Sequence, residues 1–239
     1  MTDLPDGIGI TWLGHSTFRV TTPSGKRLLI DPWVMGNPAC PDELKDPGPL
    51  DAILITHGHF DHIGDAVELG RSTGATLVAI AETAGWLGSK GLENLVGFNK
   101  GGTIEIADCK VNMTHAVHSC GITDGDQVIY GGEAAGYVVE FENGFKLYHS
   151  GDTAVFSDMA LIGKLLEPDW AMLPIGDYFT MGPRSAAEAI RLLDVKTVIP
   201  MHFGTFPVLS GTPDQLRETA SDIDGLEVID LQPGGSVGG

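Results

Sequence analysis

Cations, cysteines and long apolar runs are scarce in this chain of 239 residues, and each scarcity excludes something. Lys and Arg total 14 against 32 Asp and Glu, a formal charge of −18 at neutral pH. So acidic a surface repels phosphate backbones and anionic membranes, and no basic groove is visible to reverse the effect; neither nucleic acid nor a membrane is expected as a partner. The three cysteines, Cys40, Cys109 and Cys120, are odd in number and lack C-x-x-C spacing, which argues against a disulfide framework and against a structural zinc cluster. They read as reduced thiols; for Cys120, close after His118, packing is favoured over a ligand role. No stretch reaches the ~18 apolar residues of a membrane span. The start, Met1 to Gly7, has no basic region followed by an apolar one, so a cytoplasmic protein is expected. A G-x-S-x-G elbow is missing as well, which removes one familiar setting for a serine nucleophile.

What is present is the composition of a globular domain, 42% hydrophobic and 19% charged, with short apolar runs regularly interrupted. Strands are predicted over Ile8 to Leu13, Thr17 to Thr21, Arg27 to Ile30, Ala52 to Thr56, Thr76 to Ile80, Val111 to Val117, Tyr137 to Phe141, Phe145 to Tyr148, Ala171 to Leu173 and Thr197 to Ile199. Helical spacing marks Asp61 to Arg71, Ser157 to Leu166 and Pro183 to Leu193, and Thr212-Pro213 caps a further helix over Asp214 to Ala220. Strands come in consecutive runs with helices after them in each half, which favours sheets layered under helices over a strictly alternating parallel sheet. No Pro/Ser linker divides the chain, so residues 1–239 are expected to form one domain, with 232–239 a frayed tail.

One segment points directly at chemistry. His57-Gly58-His59-Phe60-Asp61-His62 places four metal-ligand side chains within six residues, directly after the apolar run Ile53-Leu54-Ile55. In a chain of this composition H-x-H-x-D-H would arise by chance roughly once in a thousand sequences. His57 and His59 flank Gly58, so both can face one ion from the loop, whereas Asp61 and His62 begin a helix and can face a second ion beside it. Four ligands so close in sequence crowd a single tetrahedral ion, and the spacing itself points to two metals. Helix capping would account for Asp61 but leaves three histidines unexplained.

H-x-H-x-D-H after an apolar strand resembles the signature of the metallo-β-lactamase superfamily, and its later motifs follow in order. The resemblance implies an α/β (α+β) fold, a four-layer αβ/βα sandwich with the metal site at one edge. It also implies that His118 completes the first ion's ligands, that Asp152 in Ser150-Gly151-Asp152-Thr153 bridges the ions, and that His202 in Met201-His202-Phe203 completes the second. His115 lies three residues from His118 and is expected to be a packed core histidine; His149 is expected in a supporting or core role. Gly14-His15-Ser16, Ile30-Asp31-Pro32 and Leu173 to Met181 are similar to the branch of small hydrolases that includes ascorbate-6-phosphate lactonase, and more distantly to a phospholipase D acting on N-acyl phosphatidylethanolamine. That likeness places His15 near the site, as a supporting or substrate-contacting residue.

Two adjacent divalent ions, zinc foremost and manganese, iron, nickel or cobalt as alternatives, would supply hydroxide at neutral pH by lowering the pKa of a bridging water toward about 7. Asp61 is the expected proton acceptor. The expected activity is hydrolysis of a small-molecule phosphoester or lactone; an iron-dependent oxidoreductase or sulfur-metabolism relative on the same fold is the alternative. Trp33, Met35, Phe60, Tyr178, Phe179, Met181, Phe203 and Phe206 lie in or beside the motif loops, which points to an apolar pocket and makes self-association of the chain an expectation.

Overall fold

The computed structural model describes residues 4–239. One sheet contains β1 (Gly9–Trp12), β2 (Phe18–Thr21), β3 (Arg27–Ile30), β4 (Ala52–Leu54), β5 (Thr76–Ile80), β6 (Leu95–Phe98) and, from the far end of the chain, β16 (Ser236–Gly238). The other contains β7 (Thr103–Ile106), β8 (Cys109–His115), β11 (Ala135–Glu140), β12 (Lys146–His149), β13 (Trp170–Pro174), β14 (Thr197–Met201) and β15 (Glu227–Val228). Strand order is β16-β1-β2-β3-β4-β5-β6 in the first and β15-β14-β13-β12-β11-β8-β7 in the second. A separate hairpin joins β9 (Gly121–Asp124) to β10 (Gln127–Tyr130).

Side-chain alternation along the strands builds the layers. In β3, Leu28 and Ile30 face the other sheet, where they pack with Val111, Met113, Tyr137, Leu147 and Ile199. Leu29 between them faces outward, against Ala66 and Leu69 of α2 (Ala66–Thr73) and Leu87 of α3 (Ala81–Ser89). In the second sheet Tyr137 and Val139 face inward, and Val138 packs outward with Met159 of α4 (Met159–Leu166), Ile190 of α5 (Pro183–Leu193) and Leu216 of α6 (Pro213–Thr219). The order helix, sheet, sheet, helix is the four-layer sandwich implied by the motif order. Period-two burial on strands covered on both faces explains why these runs read as nearly continuous apolar segments.

Three expectations need correction. The ending does not fray: Val237 pairs with Ile10, and the Gly234 and Gly235 backbones bond to Trp12. A Gly-rich tail carries no apolar periodicity, yet its backbone completes the open edge of β1. The helix predicted over Asp61 to Arg71 is two helices, α1 (Phe60–Ile63) and α2. The break at Asp65 lets its carboxylate accept the Val34 and Met35 amides at 2.6 and 2.8 Å, tying the loop after β3 to the helix start. His115 is not a core residue; it is exposed at the end of β8, 3.0 Å from the Lys100 ammonium and edge-on to Phe156. The helix α3, with two internal glycines and weak amphipathicity, and the short strands β6, β7, β9 and β10 escaped the sequence pattern.

Candidate metal centre

Strand direction gathers the site. β1 and β3 run the same way because each is antiparallel to β2, and β4 is parallel to β3. Their C-terminal ends therefore release His15, Asp31 and the segment His57 to His62 at one end of the first sheet. In the second sheet β8 and β12 are each antiparallel to β11, and β13 and β14 run parallel to β12. His118, Asp152 and His202 thus leave one end of that sheet, and the two ends meet. Loops at strand ends on a rigid scaffold are where polar side chains can converge without disrupting the ladder.

The structure brings together His15, His57, His59, Asp61, His62, His118, Asp152 and His202. Donor atoms of His57, His59 and His118 form one group, and those of His15, Asp61, His62 and His202 a second, each within 4.8 Å. Asp152 stands between them, its Oδ2 3.0 Å from His202 Nε2, 3.2 Å from His62 Nε2, 3.7 Å from His118 Nε2 and 3.9 Å from His57 Nε2. His57 Nε2 and His118 Nε2 lie 3.1 and 3.3 Å from His59 Nδ1. Two ligands about 2.0–2.1 Å from one tetrahedral ion are about 3.3 Å apart, so these spacings fit a shared cation. Asp152 Oδ1, His62 Nε2 and His202 Nδ1 are buried without a hydrogen-bond partner among the described residues. Burying such atoms unpartnered costs about 1–3 kcal/mol each, and a cation at the convergence of Asp152 and His62 would offset that cost for those two residues.

A layer of hydrogen bonds behind the donors sets their tautomers. Asp31, wholly buried, holds His62 Nδ1 at 2.7 Å with Oδ2, which also accepts the Thr56 hydroxyl at 2.8 Å; its Oδ1 accepts the Thr56 amide. The same hydroxyl lies 3.0 Å from His57 Nδ1. Proton-bearing Nδ1 atoms on His62 and His57 leave Nε2 lone pairs aimed inward, the arrangement that orients metal-binding imidazoles. Neither Asp31 nor Thr56 was given a role by sequence reasoning, although Ile30-Asp31-Pro32 carried a signal: a carboxylate directly after an apolar strand.

His15 Nε2 is 3.0 Å from Asp61 Oδ2, and its Nδ1 is 3.0 Å from the Thr205 hydroxyl. Burial, then the neighbouring His202, lowers the His15 pKa to about 4. The neutral ring satisfies both contacts by donating from Nε2 to Asp61 and accepting from Thr205 at Nδ1. Burial opposes charge on Asp61, yet the His15 hydrogen bond and nearby His62 outweigh it and hold the carboxyl below the usual carboxylate range. His15, Asp31 and His202 take left-handed backbone, φ +57°, +52° and +54°, and the His202 amide bonds to the His15 carbonyl at 2.9 Å. Such conformations in non-glycine residues are costly and cluster where geometry is imposed by function. Gly151, φ +61°, supplies the turn before Asp152, where a Cβ would strike the Ala135 carbonyl.

Other candidates stay outside. His149 is buried, its Nε2 3.0 Å from the Ser16 carbonyl and its Nδ1 accepting the Gly151 amide, so it serves the core. Cys120 packs with Sγ 3.3 Å from the Gly131 carbonyl. Before the donors opens a cleft of about 440 Å³ lined by Phe60, Asp61, Ser119, Thr123, Phe179 and Phe206 together with the metal-site side chains. No helix among the described residues is long and apolar enough to cross a membrane.

Known proteins share both the fold and the sequence. Residues 26–203 match the family described as beta-lactamase superfamily domain. The chain is 58% identical to a UPF0173 metal-dependent hydrolase of Koribacter versatilis, covering 95% of this chain and 97% of that protein. It is 46% identical to another from Methanopyrus kandleri, covering 95% and 98%. Igni18, a metallo hydrolase from the archaeon Ignicoccus hospitalis, superposes with a TM-score of 0.85 at 34% identity, over 96% of this chain and 97% of that one. An isothiocyanate hydrolase from Delia radicum gut bacteria superposes with a TM-score of 0.74 at 20% identity, over 96% and 98%, a likeness of fold alone.

Proposed function

This chain belongs to the beta-lactamase superfamily, among the UPF0173 metal-dependent hydrolases, and on that premise we propose that it holds two divalent cations side by side and hydrolyses small phosphoesters or lactones. The observation that carries the reading is the position of Asp152: one carboxylate oxygen lies within 3.0 to 3.9 Å of imidazole nitrogens belonging to both donor groups. His57, His59 and His118 would hold one ion, Asp61, His62 and His202 the other, and Asp152 both. An imidazole-rich set with carboxylates suits zinc foremost, with manganese, iron, nickel or cobalt as the alternatives. When bound, such ions lower the pKa of a water toward about 7 and polarise the bond under attack.

The chain's own residues then do the remaining work. Asp31 and Thr56 fix the His62 and His57 rings, so the donors are in place before substrate arrives. Asp61 lines the cleft, and its carboxylate would accept a hydrogen bond from the attacking water. Its depressed pKa suits it to orienting that water and passing a proton on more than to retaining it. His15 positions Asp61 from behind, and Thr205 positions His15. A cleft of about 440 Å³ admits a small molecule.

The test combines elemental analysis of purified protein with a metal-reconstituted screen against an aryl phosphodiester, a phosphotriester and several lactones. About two zinc or manganese ions per chain and turnover of at least one ester are expected. Stoichiometric redox-active iron with no turnover of any ester would favour the oxidoreductase alternative and overturn the reading.

A further inference from the structure

The proposed hydrolase site leaves one group of residues without a task, the phenylalanines at its mouth. Phe60 and Phe179 are 60% and 55% exposed, although each is a large apolar side chain. Phe60 and Phe206 both rest on Trp33, with ring centroids 5.8 and 6.0 Å apart, and Trp33 itself is only 5% exposed, so this wall of the cleft is backed by the core. Phe179 is set by a different device. Asp177 and Tyr178 take successive left-handed conformations, φ +65° and +59°, and the turn is tied by the Asp177 amide to the Met181 carbonyl and by the Met181 amide to the Thr153 carbonyl. Holding two non-glycine residues in that region costs of order 1–3 kcal/mol each, and the result is an aromatic ring presented to the cleft. Exposed apolar side chains clustered at a pocket mark a surface that binds something apolar.

Away from the proposed metal ions, the same cleft offers no fixed cation. Among the described residues that line it there is no Lys or Arg, and its two carboxylates, Asp61 and Asp152, are those assigned to the ions. A phosphate group on the part of a substrate that does not react would find no guanidinium or ammonium to pair with, inside a protein of net charge −18. From these two features we infer that the cleft takes an electrically neutral ester, a lactone for example, whose apolar arm lies on Phe60, Phe179 and Phe206, and that it discriminates against substrates bearing a separate phosphate group. This rests on the hydrolase reading above and narrows it. The step is ordinary hydrolysis: water adds to the ester carbonyl, the carbon–oxygen bond to the alcohol breaks, one of the water's protons goes to the released alkoxide and the other to solvent, and a carboxylate and a hydroxyl result.

The experiment uses metal-loaded full-length protein and three lactones of one ring size: unsubstituted, bearing a hexyl or phenyl arm, and bearing a phosphorylated hydroxymethyl arm. The apolar-armed lactone is expected to have kcat/KM at least about tenfold above the others, mainly through KM, since apolar pocket contacts discriminate by about 10–200-fold. Phe179→Ala is expected to bring the ratio of apolar-armed to unsubstituted substrate toward one. Thr123→Lys places a cation on the exposed β9 strand at the cleft, and should raise the relative rate on the phosphorylated lactone. A phosphorylated lactone cleaved as well as or better than the apolar-armed one overturns the inference while leaving the hydrolase reading intact, as does a Phe179→Ala protein with an unchanged ratio. Failure to cleave any ester in the wider screen overturns the hydrolase reading and the inference with it.

Discussion

Asp31 Oδ2 lies 2.7 Å from His62 Nδ1, and both side chains are fully buried. The carboxylate can only accept, so the ring must carry a proton on Nδ1, and Nε2 is the atom left to face the site. Asp31→Asn preserves the shape but offers an amide that can donate to Nδ1, which would shift the proton to Nε2. Metal affinity is expected to fall about 10- to 100-fold, the usual cost of losing a carboxylate behind a metal-binding histidine. Competition titration with a chromophoric chelator reads this directly, and wild-type affinity in the variant would remove Asp31 from the site.

His59→Ala and Asp152→Ala are each expected to abolish hydrolysis and to lower metal content together. His59 Nδ1 is near both His57 and His118, and Asp152 Oδ2 is near both donor groups, so neither has a substitute. Elemental analysis beside the rate on an aryl ester checks this; full activity in either variant would sink the assignment.

Proton release should accompany metal loading. In metal-free protein burial disfavours a charged His62, but Asp152 and Asp31 outweigh burial and hold its pKa well above the ordinary 6.5. The two carboxylates thus favour a second proton on the His62 ring, at the Nε2 that faces Asp152, and a cation binding there would displace it. Calorimetry at pH 7 in buffers of different ionisation enthalpy should detect this proton leaving, with apparent affinity weakening as pH falls. Because the folded pKa is raised, the His62 contribution to metal-free stability is fully present below about 6.5 and is lost as pH rises through the folded value. Heat-capacity scans of metal-free protein should therefore show decreasing stability toward alkaline pH from this group, and no proton uptake or release on loading would contradict the scheme.

Ending the chain at Gln232 removes β16 and the backbone bonds that Gly234, Gly235 and Gly239 make with Trp12 and Ile8. Several hydrogen bonds at about 0.5–1.5 kcal/mol each give an expected loss of roughly 2–4 kcal/mol. The bared β1 edge should also promote association between molecules. Urea unfolding and light scattering measure the two effects, and an unchanged midpoint would mean that the pairing contributes nothing.

What the sequence made legible follows from range and period. Strands such as Arg27–Ile30 and Thr76–Ile80 are visible because burial on both faces writes apolar runs into the chain, and His57 to His62 is visible because its ligands are local. Asp31 was not assigned, since it works on Thr56 and on the His62 ring, 25 and 31 residues away, and a single carboxylate has no spacing to betray it. Similarly, the His15–Asp61 contact joins positions 46 apart. His115 was misplaced because strand alternation sets a side but not whether that side is covered, and its end of β8 lies open beside Lys100. The tail escaped because glycine pairs through its backbone and leaves no side-chain pattern.

The donors come from both sheets: His57, His59, Asp61 and His62 from the loop and short helix after β4 of the first, His118, Asp152 and His202 from loops of the second. Metal ions gripped by both would act as a clasp across the seam of the sandwich, resisting any motion that parts the two halves at that end. Ligation of the folded form alone adds RT ln(1 + [L]/Kd), about 4 kcal/mol at a thousandfold excess over Kd. The same side chains that prepare water for attack would then hold the molecule shut, so that loss of metal loosens the architecture at the moment it silences the chemistry.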